Sequence, residues 1–100
     1  MTERERLRKA IHDLHGCEST HLRSEPVHEI FEGDAVWDGV VEVFRLKNHP
    51  KALFAYAWSH ETDDGKRRFV AVLGVPPIKS AKDAVRVSIA ADHHTPKGTR

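Results

Sequence analysis

Between Leu53 and Val75 apolar and polar positions alternate in twos. Phe54, Tyr56, Trp58 and His60 share one side of an extended chain, and Leu53, Ala55, Ala57 and Ser59 the other, which is the period of a strand. Glu61-Thr62-Asp63-Asp64-Gly65-Lys66 follows, then a second apolar run from Arg67 to Val75. Asp64-Gly65 can adopt the positive backbone angles of a tight hairpin turn. With those two residues at its centre, the turn sets Trp58 opposite Ala71, Tyr56 opposite Leu73 and Phe54 opposite Val75. A slip of one residue exchanges the two faces, so the register carries the whole assignment.

The flanking segments have different periods. Thr2-Glu3-Arg4-Glu5 has the form of a capping box, and Leu7, Ala10, Ile11 and Leu14 then recur at helical spacing up to Gly16. A helix ending near His15 is predicted, with Arg4, Arg8, His12 and His15 along one flank. Cys17 to Pro26 is polar and aperiodic and reads as a loop with at most a short extended piece. Val27 to Phe31 reads as a strand, Glu32 to Ala35 as a turn, and Val36 to Leu46 as a longer strand with a bulge at Asp38-Gly39. After a turn at residues 47–51 and the central hairpin, Pro76-Pro77 ends the sheet because neither can donate to a ladder. Ser80-Ala81-Lys82-Asp83 opens a second helix to about Ala91, with Ala81, Ala84, Val85, Ser88 and Ile89 as a small-residue stripe.

The expected fold is therefore α+β, a two-layer sandwich of order α-β-β-β-β-α. A four-stranded antiparallel meander has both helices on one face. Residues 1–92 form the single domain and 93–100 a flexible tail. Tight turns put Ile30, Trp37, Val41 and Val43 beside Phe54, Tyr56, Trp58, Phe69, Leu73 and Val75 under the helices. Val27, Phe31, Val36, Val40, Phe44, Leu46, Leu53, Val70 and Val72 then fall on the opposite, uncovered face, more apolar surface than a monomer usually exposes. A second copy of the sheet is the economical cover. Phe31, Val40, Phe44, Leu46, Val70 and Val72 are its expected contact residues.

Composition narrows the function classes without choosing one. The 100 residues are 39% hydrophobic and 31% charged, as in an ordinary globular domain. Apolar runs are too short to span a membrane, and the charged start, Met1 to Arg6, differs from a secretory signal. With Cys17 as the one cysteine, no internal disulfide can form, so a cytoplasmic protein is expected. A net charge of +1 supplies no whole-molecule field for nucleic acid or acidic membrane.

Three groups of residues are candidates for chemistry. His12, His15, Cys17, Glu18 and His21 are rich in metal-ligand types, but their spacing matches no standard zinc pattern and His12 and His15 fall on a polar helix flank; no metal or cofactor is expected. Glu29, Asp38 and Glu42 share the uncovered face, with Glu29 opposite Asp38, where like charges could split acid and base roles. Their simpler role is to interrupt an apolar face and discourage wrong pairing. No nucleophile elbow or phosphate loop occurs, so an enzyme is the least supported class.

Basic side chains form the third group. Lys79, Lys82 and Arg86 line the second helix, and Lys66, Arg67 and Arg68 cluster at the hairpin tip, where both sets could contact phosphates. Three strands from Val40 to Val75, a His49-Pro50 turn between the first two, and Ser80-Ala81-Lys82-Asp83-Ala84 opening the last helix resemble a double-stranded RNA-binding domain in topology. The resemblance implies that His49 enters a minor groove while Lys79 and Lys82 grip phosphates. The leading expectation is a small non-catalytic domain that self-associates or binds a protein partner. RNA binding is the alternative, and metal-dependent or carboxylate-based catalysis the second alternative.

Overall fold

The structure, a computed structural model, describes residues 2–93. Helix α1 (Glu3–His15) leads into strands β1 (Ser19–Phe31), β2 (Asp34–Leu46), β3 (Phe54–Glu61) and β4 (Arg67–Leu73), and α2 (Ala81–His93) closes the order. The strands form one antiparallel meander, β1-β2-β3-β4. The α+β class and the element order agree with the sequence expectation. The expected tail lies mostly outside the described residues.

Local chemistry explains the ends of the elements. Thr2 Oγ1 accepts from the Glu5 amide while Glu5 Oε1 accepts from the Thr2 amide, satisfying two otherwise unpaired helix-start donors. Gly16, at φ 71°, ends α1 in the left-handed conformation, which lacks a Cβ penalty only for glycine. At the second helix Ser80 Oγ accepts from the Asp83 amide, and Asp83 Oδ2 from the Lys79 amide.

The helices lie on opposite faces of the sheet, which corrects the expected two-layer arrangement. Leu7 and Ile11 of α1 are buried with Phe44, Leu46, Ala55 and Ala57, while Ala81, Ala84 and Val85 of α2 are buried with Val41, Val43, Tyr56 and Trp58. Adjacent positions along a strand point to opposite faces, so the two clusters are separated by the sheet itself. The result is three layers, α1 on one side and α2 on the other.

Strand β4 also differs from expectation by one residue of register, and the difference originates in the β3–β4 turn. Its loop has three central residues, Asp63, Asp64 and Gly65, closed by Thr62 N to Lys66 O at 2.7 Å and Gly65 N to Thr62 O at 2.9 Å, with Gly65 at φ 83°. A three-residue loop of this kind places the left-handed glycine after the first turn. The Thr62 hydroxyl and then the Lys66 amide bond the Asp64 carboxyl and hold its pKa below the usual carboxylate value. One extra loop residue moves Tyr56 opposite Val72, Trp58 opposite Val70 and Ala55 opposite Leu73. Phe69, Ala71, Leu73 and Val75 consequently join the α1 cluster and Val70 and Val72 the α2 cluster.

Strand β1 is also longer than its polar sequence indicates. Residues 19–26, expected as a loop, pair with β2 over Ser19–Leu46 to Pro26–Val40. Edge position accounts for this: polar side chains can face water there, and the missing Pro26 N–H costs no ladder bond. Glu32 at φ 53° and Gly33 at φ 85° form the two-residue turn to β2, the positive pair that suits the strand twist. The bulges fall at Leu22 on β1 and Val36 on β2, and Gly39 is regularly paired with Val27. Gly39 instead makes room for a ring, since a Cβ there would come within 3.2 Å of Trp37 Cη2.

Candidate interaction surfaces

The expected contact residues divide between the two faces. Phe44 and Leu46 are buried beneath α1, whereas Val70 and Val72 are half-buried toward α2. Val40 is exposed on the α1 side, and the side chain of Phe31 falls outside the described residues. A single open apolar face is therefore overturned, because each helix covers one side of the central strands.

What remains uncovered is the part of the sheet that outgrows its helices. Strands β1 and β2 are 13 residues each, but β3 pairs with β2 only from Glu42 to Arg45. The far half of the β1–β2 hairpin projects beyond β3. One side meets α2 through Val27 and Trp37. On the other, Ile30 and Val40 remain 60% and 50% exposed, alongside Pro26, and Val36 at the bulge is 38% exposed.

The two sheet edges also differ. The Gly74 amide donates to Phe54 O at 2.8 Å; because hydrogen-bonded and non-hydrogen-bonded pairs alternate in an antiparallel ladder, Tyr56–Val72 and Trp58–Val70 exchange backbone bonds. Phe69, Ala71 and Leu73 therefore turn their N–H and C=O groups away from β3. His15 Nε2 lies 3.0 Å from Ala71 O, and since a carbonyl only accepts, Nε2 carries the donating proton. Edge β1 contains Pro26 and a bulge at Leu22, both devices that discourage strand addition. β4 pairs without a bulge and carries Phe-Val-Ala-Val-Leu, every side chain half-buried. Sequence reasoning missed Phe69, Ala71 and Leu73 as surface residues; the signal was a proline-free apolar run at the last position of a meander.

The candidate chemical groups do not converge. Glu29 pairs across the sheet with Trp37, and Asp38 with His28, at 3.5 Å between Nδ1 and Oδ1. Glu29, nearly buried, receives Arg86 Nε at 2.7 Å and has Lys82 Nζ at 3.8 Å. Bonding to Glu29 raises the Arg86 pKa further. These contacts tie α2 to β1. Glu42 Oε1 receives both His21 Nε2 at 2.7 Å and the Ser24 hydroxyl at 2.5 Å, with the His21 ring edge-on to Phe44. Both groups donate to the same oxygen, so the Ser24 hydroxyl bonds the Glu42 carboxylate and not the His21 imidazole. His21, Ser19, Thr20, Arg4, Glu5 and Arg8 line an open cleft of about 330 Å³ beside α1, where Arg8 Nε donates to Ser19 O.

The proposed metal group is likewise dispersed. His12 approaches Asp13 and Glu18, His15 bonds Ala71 O, His21 bonds Glu42, and Cys17 is buried under α1. Among the described residues no three His, Cys, Asp or Glu side chains assemble as a metal site. His49 Nδ1 accepts from the Lys51 and Ala52 amides, both at 3.0 Å, and so organises its own loop. Lys66, Arg67, Arg68 and Lys79 are exposed, the first three in a tip that also contains Glu61, Asp63 and Asp64. No helix among the described residues is long and apolar enough to cross a membrane. Comparisons with protein-family models, curated proteins and solved structures return no match.

Proposed function

We propose that this protein is a non-catalytic module that binds a second copy of itself through sheet surface its helices leave uncovered. The carrying observation is the open β4 edge: Phe69 to Leu73 is an apolar run that pairs without a bulge on one side only and whose side chains the helices leave half-buried. Such surface marks association in soluble domains, and twofold symmetry lets one patch serve both partners. The burial of Cys17 and the shared engagement of His21 and Ser24 by Glu42 support a binding role over nucleophilic catalysis. Nucleic-acid binding has weaker support, because Lys82 and Arg86 face Glu29 and acids surround the hairpin-tip cations. Sedimentation equilibrium tests the proposal: a dimer mass that dissociates on dilution is expected, and a monomer mass persisting at high concentration overturns it.

A further inference from the structure

The β4 edge specifies how two copies would meet. We infer that β4 pairs antiparallel with β4 of a second copy about a twofold axis at Ala71, joining two four-stranded sheets into one continuous sheet. This assignment rests on the self-association reading and adds the interface and its register.

Three features favour this pairing. Phe69, Ala71 and Leu73 direct backbone donors and acceptors outward, as the Gly74–Phe54 bond and the His15 contact on Ala71 O require. Antiparallel strand addition uses such groups. The apolar run from Phe69 to Leu73 also places every side chain in a half-buried state, which another strand would cover further. Finally, the opposite edge is closed to this role by Pro26 and the Leu22 bulge, so pairing is confined to β4.

The register follows from side-chain matching. About Ala71, Phe69 stands opposite the partner's Leu73 and Val70 opposite the partner's Val72, the apolar cross-strand pairs that stabilise sheets. The two Arg68 residues are then separated by six strand positions, about 20 Å. Moving the axis to Val70 brings these cations closer and sets Arg67 against the partner's Leu73. His15 does not forbid the pairing, because a carbonyl has two lone pairs and Ala71 O can receive a second bond.

Ala71→Pro is the decisive variant, because it removes an N–H that points away from β3 and leaves the internal ladder intact. It is compared with Val40→Lys on the projecting hairpin, using sedimentation equilibrium and circular dichroism. Ala71→Pro is expected to retain the wild-type spectrum and weaken the dimer by at least about 30-fold, the loss of two backbone hydrogen bonds; Val40→Lys is expected to dimerise as wild type does. A folded Ala71→Pro protein that dimerises normally overturns the β4 interface while leaving self-association standing, and loss of dimer in Val40→Lys assigns the contact to the hairpin instead. A monomeric wild type overturns both readings. Should Ala71→Pro fail to fold, wild-type hydrogen exchange decides: protection of the Phe69, Ala71 and Leu73 amides that rises with protein concentration supports the interface, and concentration-independent exchange overturns it.

Discussion

Helices α1 and α2 are each 13 residues long, yet they meet the sheet by opposite rules. On the α1 side, large helix residues, Leu7 and Ile11, sit over small strand residues, Ala55 and Ala57, with Phe44 filling the flank. On the α2 side the sizes reverse: Ala81 and Ala84 approach Tyr56, Trp58, Val41 and Val43. Trp37 and Trp58 meet edge to face there, at 5.6 Å and 78°, a favoured aromatic geometry. Close packing of a helix on a sheet can be reached either way, but one arrangement depends on large groups contributed by the helix and the other on their absence.

This difference predicts different responses to changes in side-chain volume. Phe44→Ala removes the largest fully buried side chain among the described residues and is expected to destabilise the fold by about 3–5 kcal/mol through lost transfer energy and a residual cavity; urea denaturation measures it. Ala84→Leu presses bulk into the closely approached α2 side and is expected to cost about 1–3 kcal/mol. The same enlargement at half-buried Ala10 of α1 should have little effect on the urea midpoint. Equal costs at positions 84 and 10 would remove the contrast between the faces.

A smaller effect concerns the α2 side at high pH. Burial raises the pKa of Tyr56, with nearby Arg23 partly opposing the shift. The folded state thus favours the neutral phenol more than the unfolded chain does. Its contribution is fully present below the unfolded value near 10.0 and is lost as pH rises through the folded value. Tyr56 is the one tyrosine, so phenolate absorbance reports it directly; onset at the ordinary tyrosine pH would show that the ring is not screened from water. Tyr56→Phe is expected to flatten the alkaline loss of stability.

Much of the fold was legible because its signals are local. Thr2 and Glu5 marked the start of α1, Gly16 its end, and the alternation around Tyr56 marked a strand, since each depends on residues within a few positions. The candidate surface was less legible. The six expected contact residues assumed two central residues in the Asp64–Gly65 turn, and the actual three-residue loop puts Phe69 and Leu73, in place of Val70 and Val72, on the α1 side. β1 was shortened because an edge strand can be polar, leaving residues 19–26 without the apolar alternation of a half-buried strand. Glu29 and Asp38 were paired by a turn centred on residues 33–34, whereas the actual turn is Glu32–Gly33 and, with the bulge at Val36, sets Glu29 opposite Trp37.

By itself, the order of residues determined which segments become helices and strands, where they are capped, and that the sheet has apolar groups on both sides. Only the tertiary structure decided which helix covers which side, which edge is left open, and that Glu29 is held by α2. The reason is the two-residue period of the strand: a single added loop position leaves every local preference satisfied while exchanging the environments of all the side chains that follow.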